Sequence, residues 1–479
     1  MGARILLPLT LANVAFGSRD FNVKRQITEL RDSYDLIIAG GGTTGLTVAD
    51  RLSAAFPNRT FDPPGSPPRA PTFDYSVPVP GLNNRSASLA VGQTVGGSSA
   101  VNGQFFDRGS RHDYDNWATL ASPSAQDEIK WDWEGLLPYF KKVTRVVYSG
   151  ENNHMESVPK VEIHSLTEGT VLTVTAKLEV RSGIGPAELL ERAGIDVIND
   201  LPGVGYNFQD HGGPSFGVNN MLSNDETYLQ ESIEAFNLTP AQGPYTLGLG
   251  NTAVYLSLAN ITTSYKDIVA SVRQQIESGE AATYLPSGAG ESVVKGYLAQ
   301  LEILAAVLEN PTHPIFEAPF QGPPTVGFLL KPLSRGSVLL DPDDHDAEPV
   351  ITYGTLANPI DVDIMASFVP LMRSVYSTPT MQEMGVVETA PGLAARDDEQ
   401  IRDWIRQATV ASFQHPCCTA AMMPKELGGV VGSDLKVFGV GGLRVADASI
   451  MPLLPGTHTS ATCYAIGEKY ELMLVTWYM

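Results

Sequence analysis

Cysteine is scarce in this chain: Cys417, Cys418 and Cys463 are the three among 479 residues. Three thiols cannot build a disulfide framework. No CxxC pair or His/Cys cluster has zinc-site spacing, so no metal is expected. Adjacent cysteines rarely bridge each other, so Cys417 and Cys418 read as small buried side chains. Basic residues are also short, with 32 Lys and Arg against 53 Asp and Glu and a net charge of -21. Such a surface repels phosphate backbones and anionic lipid, which argues against a nucleic-acid partner. Long apolar runs are missing as well. The one near the start, residues 5–16, is interrupted by Pro8 and falls short of the ~20 residues a bilayer span needs. With Arg4 before it and Ala15, Gly17 and Ser18 after it, residues 1–33 read equally as a weak secretory signal or as an N-terminal extension. Sequons at Asn58, Asn84, Asn237 and Asn260 suit a secreted glycoprotein, although such triplets also arise by chance.

What is present is a chain of ordinary globular composition, 43% hydrophobic, and long enough for two domains. Residues 35–39 form a short apolar run of buried-strand type. They lead into Gly40-Gly41-Gly42-Thr43-Thr44-Gly45 and then a helical pattern. This is GxGxxG in its strand–turn–helix context, a dinucleotide-binding signature. Gly40 allows the tight turn, Gly42 lets backbone approach a pyrophosphate, and Gly45 lets helix pack on strand. Thr43 and Thr44 open the helix, whose N-terminus offers free N–H groups and a positive dipole end to phosphate.

A second strand ending in an acid that binds ribose should follow about 20 residues on. Instead, five prolines stand between residues 57 and 68. Proline lacks the ladder N–H and is excluded from central strands. Asp62, the one acid nearby, is followed by Pro63 and Pro64 and reads as a turn residue. The unit is therefore expected to be cut after its helix.

The next motif runs Gly92-Gln93-Thr94-Val95-Gly96-Gly97-Ser98-Ser99-Ala100-Val101-Asn102-Gly103, with Arg108-Gly109-Ser110 beyond it. Adjacent glycines and serines expose N–H donors and let backbone approach a ring closely. A third block reads Ser182-Gly183-Ile184-Gly185-Pro186, then Gly203-Val204-Gly205-Tyr206-Asn207-Phe208-Gln209-Asp210-His211. These blocks resemble the two signatures of the glucose-methanol-choline (GMC) oxidoreductase family. The stretch between residues 143 and 170 is shorter than the family's, and Lys177, Glu179 and Arg181 stand where apolar and small residues are usual. A second excision on the cofactor side is expected there. His211, beside Asp210, reads as structural or as a cofactor-side contact.

The C-terminal third matches the family's active-site pattern. Ser412-Phe413-Gln414-His415-Pro416 is followed by Ala446-Asp447-Ala448-Ser449, and then by Gly456-Thr457-His458-Thr459-Ser460. The resemblance implies an α/β fold, with a Rossmann-like FAD-binding domain from residues 34–211 and 428–479. It also implies an α+β substrate domain with an antiparallel sheet from residues 212–427. It implies FAD as cofactor, held by Gly40, Gly42, Thr43, Thr44, Gly45, Gly96, Ser98, Asn102, Gly103, Asp447 and Thr459. For Asp447 a helix-capping role competes. His415 and His458 are the implied catalytic pair. Neutral imidazole has the basicity to take an alcohol proton, and a second imidazole can orient the hydroxyl. The implied reaction is oxidation of a small or aromatic alcohol, with oxygen, a quinone or another group as electron acceptor. Two alternatives stay open: a non-redox cyclase-type catalyst on the same fold, and an inactive truncated family member.

Further expectations concern packing. Residues 360–381 read as one helix, from apolar positions Ile364, Phe368 and Leu371. Residues 470–479 replace the small residues usual in the family and are expected to pack poorly. The two excisions predict weak FAD binding and an open, aggregation-prone strand edge.

Overall fold

The computed structural model describes residues 38, 42–55, 72–91, 97–100, 105–121, 129–143, 181–219, 225–238, 242–243, 253–319, 325–344 and 347–478. The strand at residues 35–39, Gly40, the proline-rich segment with Asp62, residues 144–180 and the leader therefore fall outside the description, save Ile38.

Helix α1 (Thr43–Ala55) follows the GxGxxG turn, as the pattern requires. It packs against α2, the long C-terminal helix (Ser460–Tyr478). The crossing is close because Gly467 lies there: a Cβ on it would stand 2.9 Å from Thr47 Cβ and 3.1 Å from the Thr44 carbonyl oxygen. A third helix, α3 (Trp133–Val143), also packs against α2 and buries Leu136 and Phe140. Glu468 of α2 is almost fully buried, accepting two hydrogen bonds from Arg51 of α1 and pairing with Lys142 of α3. Tyr470 and Leu474 are buried too. The expectation of a poorly packed tail is thus corrected through residue 474, because these apolar side chains continue the buried face of one helix.

The sheets are short. Strand β1 (Gly213–Asn219) pairs antiparallel with β2 (Thr325–Val326), β3 (Val387–Ala390) and β4 (Thr409–Val410). Its Phe216 and Val218 point into the core in the alternation a half-buried strand demands. A second antiparallel sheet has β6 (Phe316–Pro319) at its centre, between β5 (Ala253–Leu256) and β7 (Phe328–Leu329). Parallel pairing among the described residues is limited to residues 184–185 with 199–200 and a single bridge between Met422 and Val431. The fold is mixed α/β.

The single helix expected over 360–381 is three: Pro359–Ala366, Phe368–Tyr376 and Pro379–Glu383. Pro370 and Pro379 explain the breaks. Each lacks the N–H a continuing helix needs, and each sits comfortably in the first turn of a new one. A second correction concerns the vicinal cysteines: Cys417 and Cys418 are joined by a disulfide and fully buried.

Candidate active site

His415 and His458 arrive on separate segments, and each is held by a different network. The segment 207–211 lies beside 412–418. Gln209 and Cys417 exchange backbone hydrogen bonds at 3.2 and 3.0 Å, and Phe413 N–H donates to the His211 carbonyl. Asp210 joins the two segments: Oδ1 accepts from the His415 backbone N–H at 3.0 Å, and Oδ2 accepts from the Ser412 hydroxyl at 2.6 Å. Burial raises the Asp210 carboxyl to about 7, against the pull of these hydrogen bonds. The His415 ring is fixed by His211, Nδ1 to Nδ1 at 2.9 Å.

His458 sits in the loop 453–459. Buried Asp113 anchors that loop by accepting from the Gly456 N–H at 3.1 Å, and Lys331, paired with Asp113, donates to the Leu454 carbonyl at 2.8 Å. The Trp117 indole N–H donates to the Leu453 carbonyl at 2.7 Å. His458 Nδ1 then meets Asp107 Oδ1 at 3.1 Å, and Phe105 stacks on the imidazole with centroids 4.0 Å apart and planes 7° from parallel. The Tyr255 hydroxyl of β5 donates to Asp107 Oδ2 at 2.9 Å. The two imidazole rings meet edge to face, with centroids 4.8 Å apart.

The electrostatics follow from this packing. Burial, and next the neighbouring His458, pull the His415 imidazole down to about 3, with Asp107 opposing. Burial pushes the Asp107 carboxyl up, but the hydrogen bond and charge of His458 outweigh it, and it ends below the usual carboxylate value. Glu317 of β6 has its Oε1 3.7 Å from His458 Nε2. Burial raises its carboxyl to about 7, with His458 opposing and Asp107 adding to the rise. The cluster thus holds a neutral imidazole, an ionised carboxylate and a carboxyl that titrates near neutrality.

Some of the residues read as cofactor contacts meet around the start of α1. Gly97 has φ +57, and a Cβ on it would stand 2.8 Å from Gly42 Cα and 3.5 Å from Thr43 N. The turn bearing Ser98 therefore lies on the N-terminal end of α1, backbone to backbone. The Thr44 hydroxyl donates to the Cys463 carbonyl of α2 at 3.1 Å, and the Tyr464 hydroxyl reaches Ser99 at 3.4 Å. The Thr459 carbonyl accepts from Cys463 N–H at 2.9 Å in the first turn of α2. Asp447 Oδ1 accepts from Ser449 N–H at 2.7 Å and so caps the short turn 448–450, the role that competed with cofactor contact. Bare glycine backbone beside the starts of two helices fits an anionic, ring-bearing ligand such as FAD, because helix N-termini favour negative charge. Gly40, Gly96, Asn102 and Gly103 lie outside the described residues.

Sequence reasoning missed four neighbours of the pair: His211 as partner of His415, and Asp107, Tyr255 and Glu317 around His458. A lone acid in the apolar run Ile315-Phe316-Glu317-Ala318 was the available signal for Glu317.

Comparison with known proteins gives the same direction. Profiles described as GMC oxidoreductase match residues 34–180 and 332–467. Dehydrogenase xptC of Emericella nidulans is 28% identical over 581 aligned positions, covering 91% of this chain and 92% of that protein. An alignment longer than the 479-residue chain means that the relative carries segments facing no residue here. The structure of a fungal aryl-alcohol oxidase is 36% identical with TM-score 0.83, covering 94% of this chain and all of that one. An FAD-dependent oxidoreductase from Chaetomium thermophilum is 28% identical with TM-score 0.80, covering 93% and 100%.

Proposed function

The chain belongs to the GMC oxidoreductase family, and from that premise we propose that it oxidises a small or aromatic alcohol with His415 as base and His458 as orienting group. The coarser statement is established: the protein is an FAD-dependent alcohol oxidoreductase. Bound FAD supplies a hydride acceptor at its ring nitrogen. In the tautomer that the role of base requires, His415 Nδ1 donates to His211 Nδ1, 2.9 Å away, and Nε2 of His415 keeps a lone pair for the hydroxyl proton. His415 is neutral across the working pH range because burial holds it near 3. Asp107 opposes that depression, and so favours the imidazolium as the proton arrives. Asp107 also holds Nδ1 of His458, which leaves Nε2 of that ring to orient the substrate hydroxyl. Phe105, stacked on His458, keeps water off one face of that ring.

The observation that carries this reading is the meeting of the two imidazoles from separate segments at 4.8 Å. The aromatic preference is supported by the likeness to the aryl-alcohol oxidase. Oxygen, a quinone or another acceptor takes the electrons. The sequons at Asn84, Asn237 and Asn260 lie on exposed positions, in keeping with a secreted glycoprotein. The test is product analysis: FAD-loaded protein mixed with benzyl alcohol without air should yield aldehyde in proportion to bound flavin. An isomerised or cyclised product from a suitable precursor, with the flavin unchanged, would favour the non-redox alternative.

A further inference from the structure

The proposed reaction leaves one buried carboxyl beside the histidine pair without a task. Glu317 is fully buried, and neither carboxyl oxygen has a hydrogen-bond partner of good geometry among the described residues; the Tyr255 hydroxyl comes near enough to hold the carboxyl down somewhat, but is not aligned to satisfy it. Buried polar side-chain atoms in folded proteins are overwhelmingly paired, so each exception calls for an explanation. Glu317 stands on the central strand β6, directly opposite Tyr255 of β5 and Phe328 of β7. The Tyr255 hydroxyl is engaged by Asp107 Oδ2.

Packing does not require an acid here. Phe316 and Ala318 on the same strand are apolar and fully buried, and an apolar side chain would fill the place without desolvating a carboxyl. Positioning of His458 does not require it either. Asp107 already holds Nδ1 of that ring at 3.1 Å, whereas Glu317 stands 3.7 Å from Nε2, beyond hydrogen-bond range. That nitrogen is the one that faces the substrate hydroxyl. An unpaired acceptor next to it is therefore placed to meet another part of the same substrate.

We propose that Glu317 is a specificity residue that accepts a hydrogen bond from a second donor on the substrate, a ring hydroxyl or an amine carried beyond the reacting alcohol carbon. The inference rests on the reading of His415 and His458 as the reacting pair, and it narrows the substrate class to alcohols with a second donor. Sites built to hydrogen-bond a substrate group discriminate strongly against the analogue lacking it, because their own polar atoms are then left unpaired. The groups facing Glu317 are His458 from the loop 453–459, Asp107 from the segment 105–110 and Tyr255 from β5. Burial places the Glu317 carboxyl at about 7, with His458 opposing, so it becomes the better acceptor as pH rises through that value.

The test uses the FAD-loaded full chain and three alcohols: benzyl alcohol, its ring-hydroxylated analogue and the methyl ether of that analogue. The expected result is a kcat/KM for the hydroxylated alcohol roughly 10- to 100-fold above that for the ether, the worth of a hydrogen bond to a charged group. That ratio should grow between pH 6 and pH 8. Glu317→Leu should collapse it towards one, and Glu317→Gln, which keeps the size and an acceptor oxygen, should retain part of it. Should the leucine variant not fold, the glutamine variant still decides, because its ratio must lose the dependence on pH. Equal kcat/KM for hydroxylated alcohol and ether in the wild-type protein, or a preference unchanged in the variants, would overturn the proposal alone. Turnover of none of the three would overturn the reading of the histidine pair, and the proposal with it.

Discussion

At the scale of single residues, the chemistry rests on which nitrogen each imidazole leaves open. His211 occupies Nδ1 of His415, and Asp107 occupies Nδ1 of His458. The open nitrogens are then both Nε2. Replacing His458 with Ala should lower turnover while FAD content stays unchanged, because the open nitrogen serves the substrate. Lost flavin with unchanged turnover per bound flavin would make His458 a cofactor-side residue. A second prediction concerns pH. His415 is depressed in the folded protein to about 3, from an unfolded value of about 6.5. The unfolded chain therefore takes up the proton first as pH falls. The stability this group contributes is complete above about 6.5 and is lost between there and about 3. Urea midpoints at pH 7 and pH 4 should fall further for the wild-type protein than for His415→Asn, which has nothing to titrate. Equal losses would show that His415 is not held neutral by its surroundings. Both histidines were legible in sequence because short, ordered motifs surround them. Asp107, His211 and Glu317 were not, because their roles arise from contacts with segments far along the chain.

At the scale of elements, the α1–α2 crossing holds the glycine turn beside the histidine loop. Gly467 sits at that crossing inside a helix, where alanine would ordinarily gain about 0.5–1 kcal/mol in backbone entropy. A Cβ there stands 2.9 Å from Thr47 Cβ and 3.1 Å from the Thr44 carbonyl oxygen, and overpacking of this kind costs about 1–3 kcal/mol. The clash wins, so Gly467→Ala should lower the denaturation midpoint; a gain in stability would mean the helices have room to separate. Helix α1 was readable from its glycine punctuation. The breaks within 360–381 are signalled by Pro370 and Pro379, but the apolar spacing of Ile364, Phe368 and Leu371 runs across the first of them. The continuation of α2 was obscured because the large apolar residues 470–479 stand where the family usually has small ones. In the fold Glu468 is matched by Arg51 and Lys142, partners that only tertiary packing brings together.

At the scale of the whole molecule, lineage was legible because the blocks stand in family order, while the completeness of the cofactor half was not. Proline content over 57–68 argues against the ribose-binding strand, and the relative carries segments with no counterpart in this chain. Two hydrogen bonds to a charged acceptor, each worth about 1.5–3 kcal/mol, correspond to roughly two to four powers of ten in affinity. Isothermal titration of monodisperse protein should therefore find FAD bound more weakly than micromolar; sub-micromolar binding at one flavin per chain would show that other residues replace the strand. With FAD supplied in excess, the most direct measurement is anaerobic stopped-flow reduction of the flavin by benzyl alcohol, for the wild-type protein and for His415→Ala at equal flavin occupancy. The account predicts that the variant reduces roughly 10²- to 10⁴-fold more slowly, the usual worth of a positioned general base. Equal rates in the two proteins would contradict it.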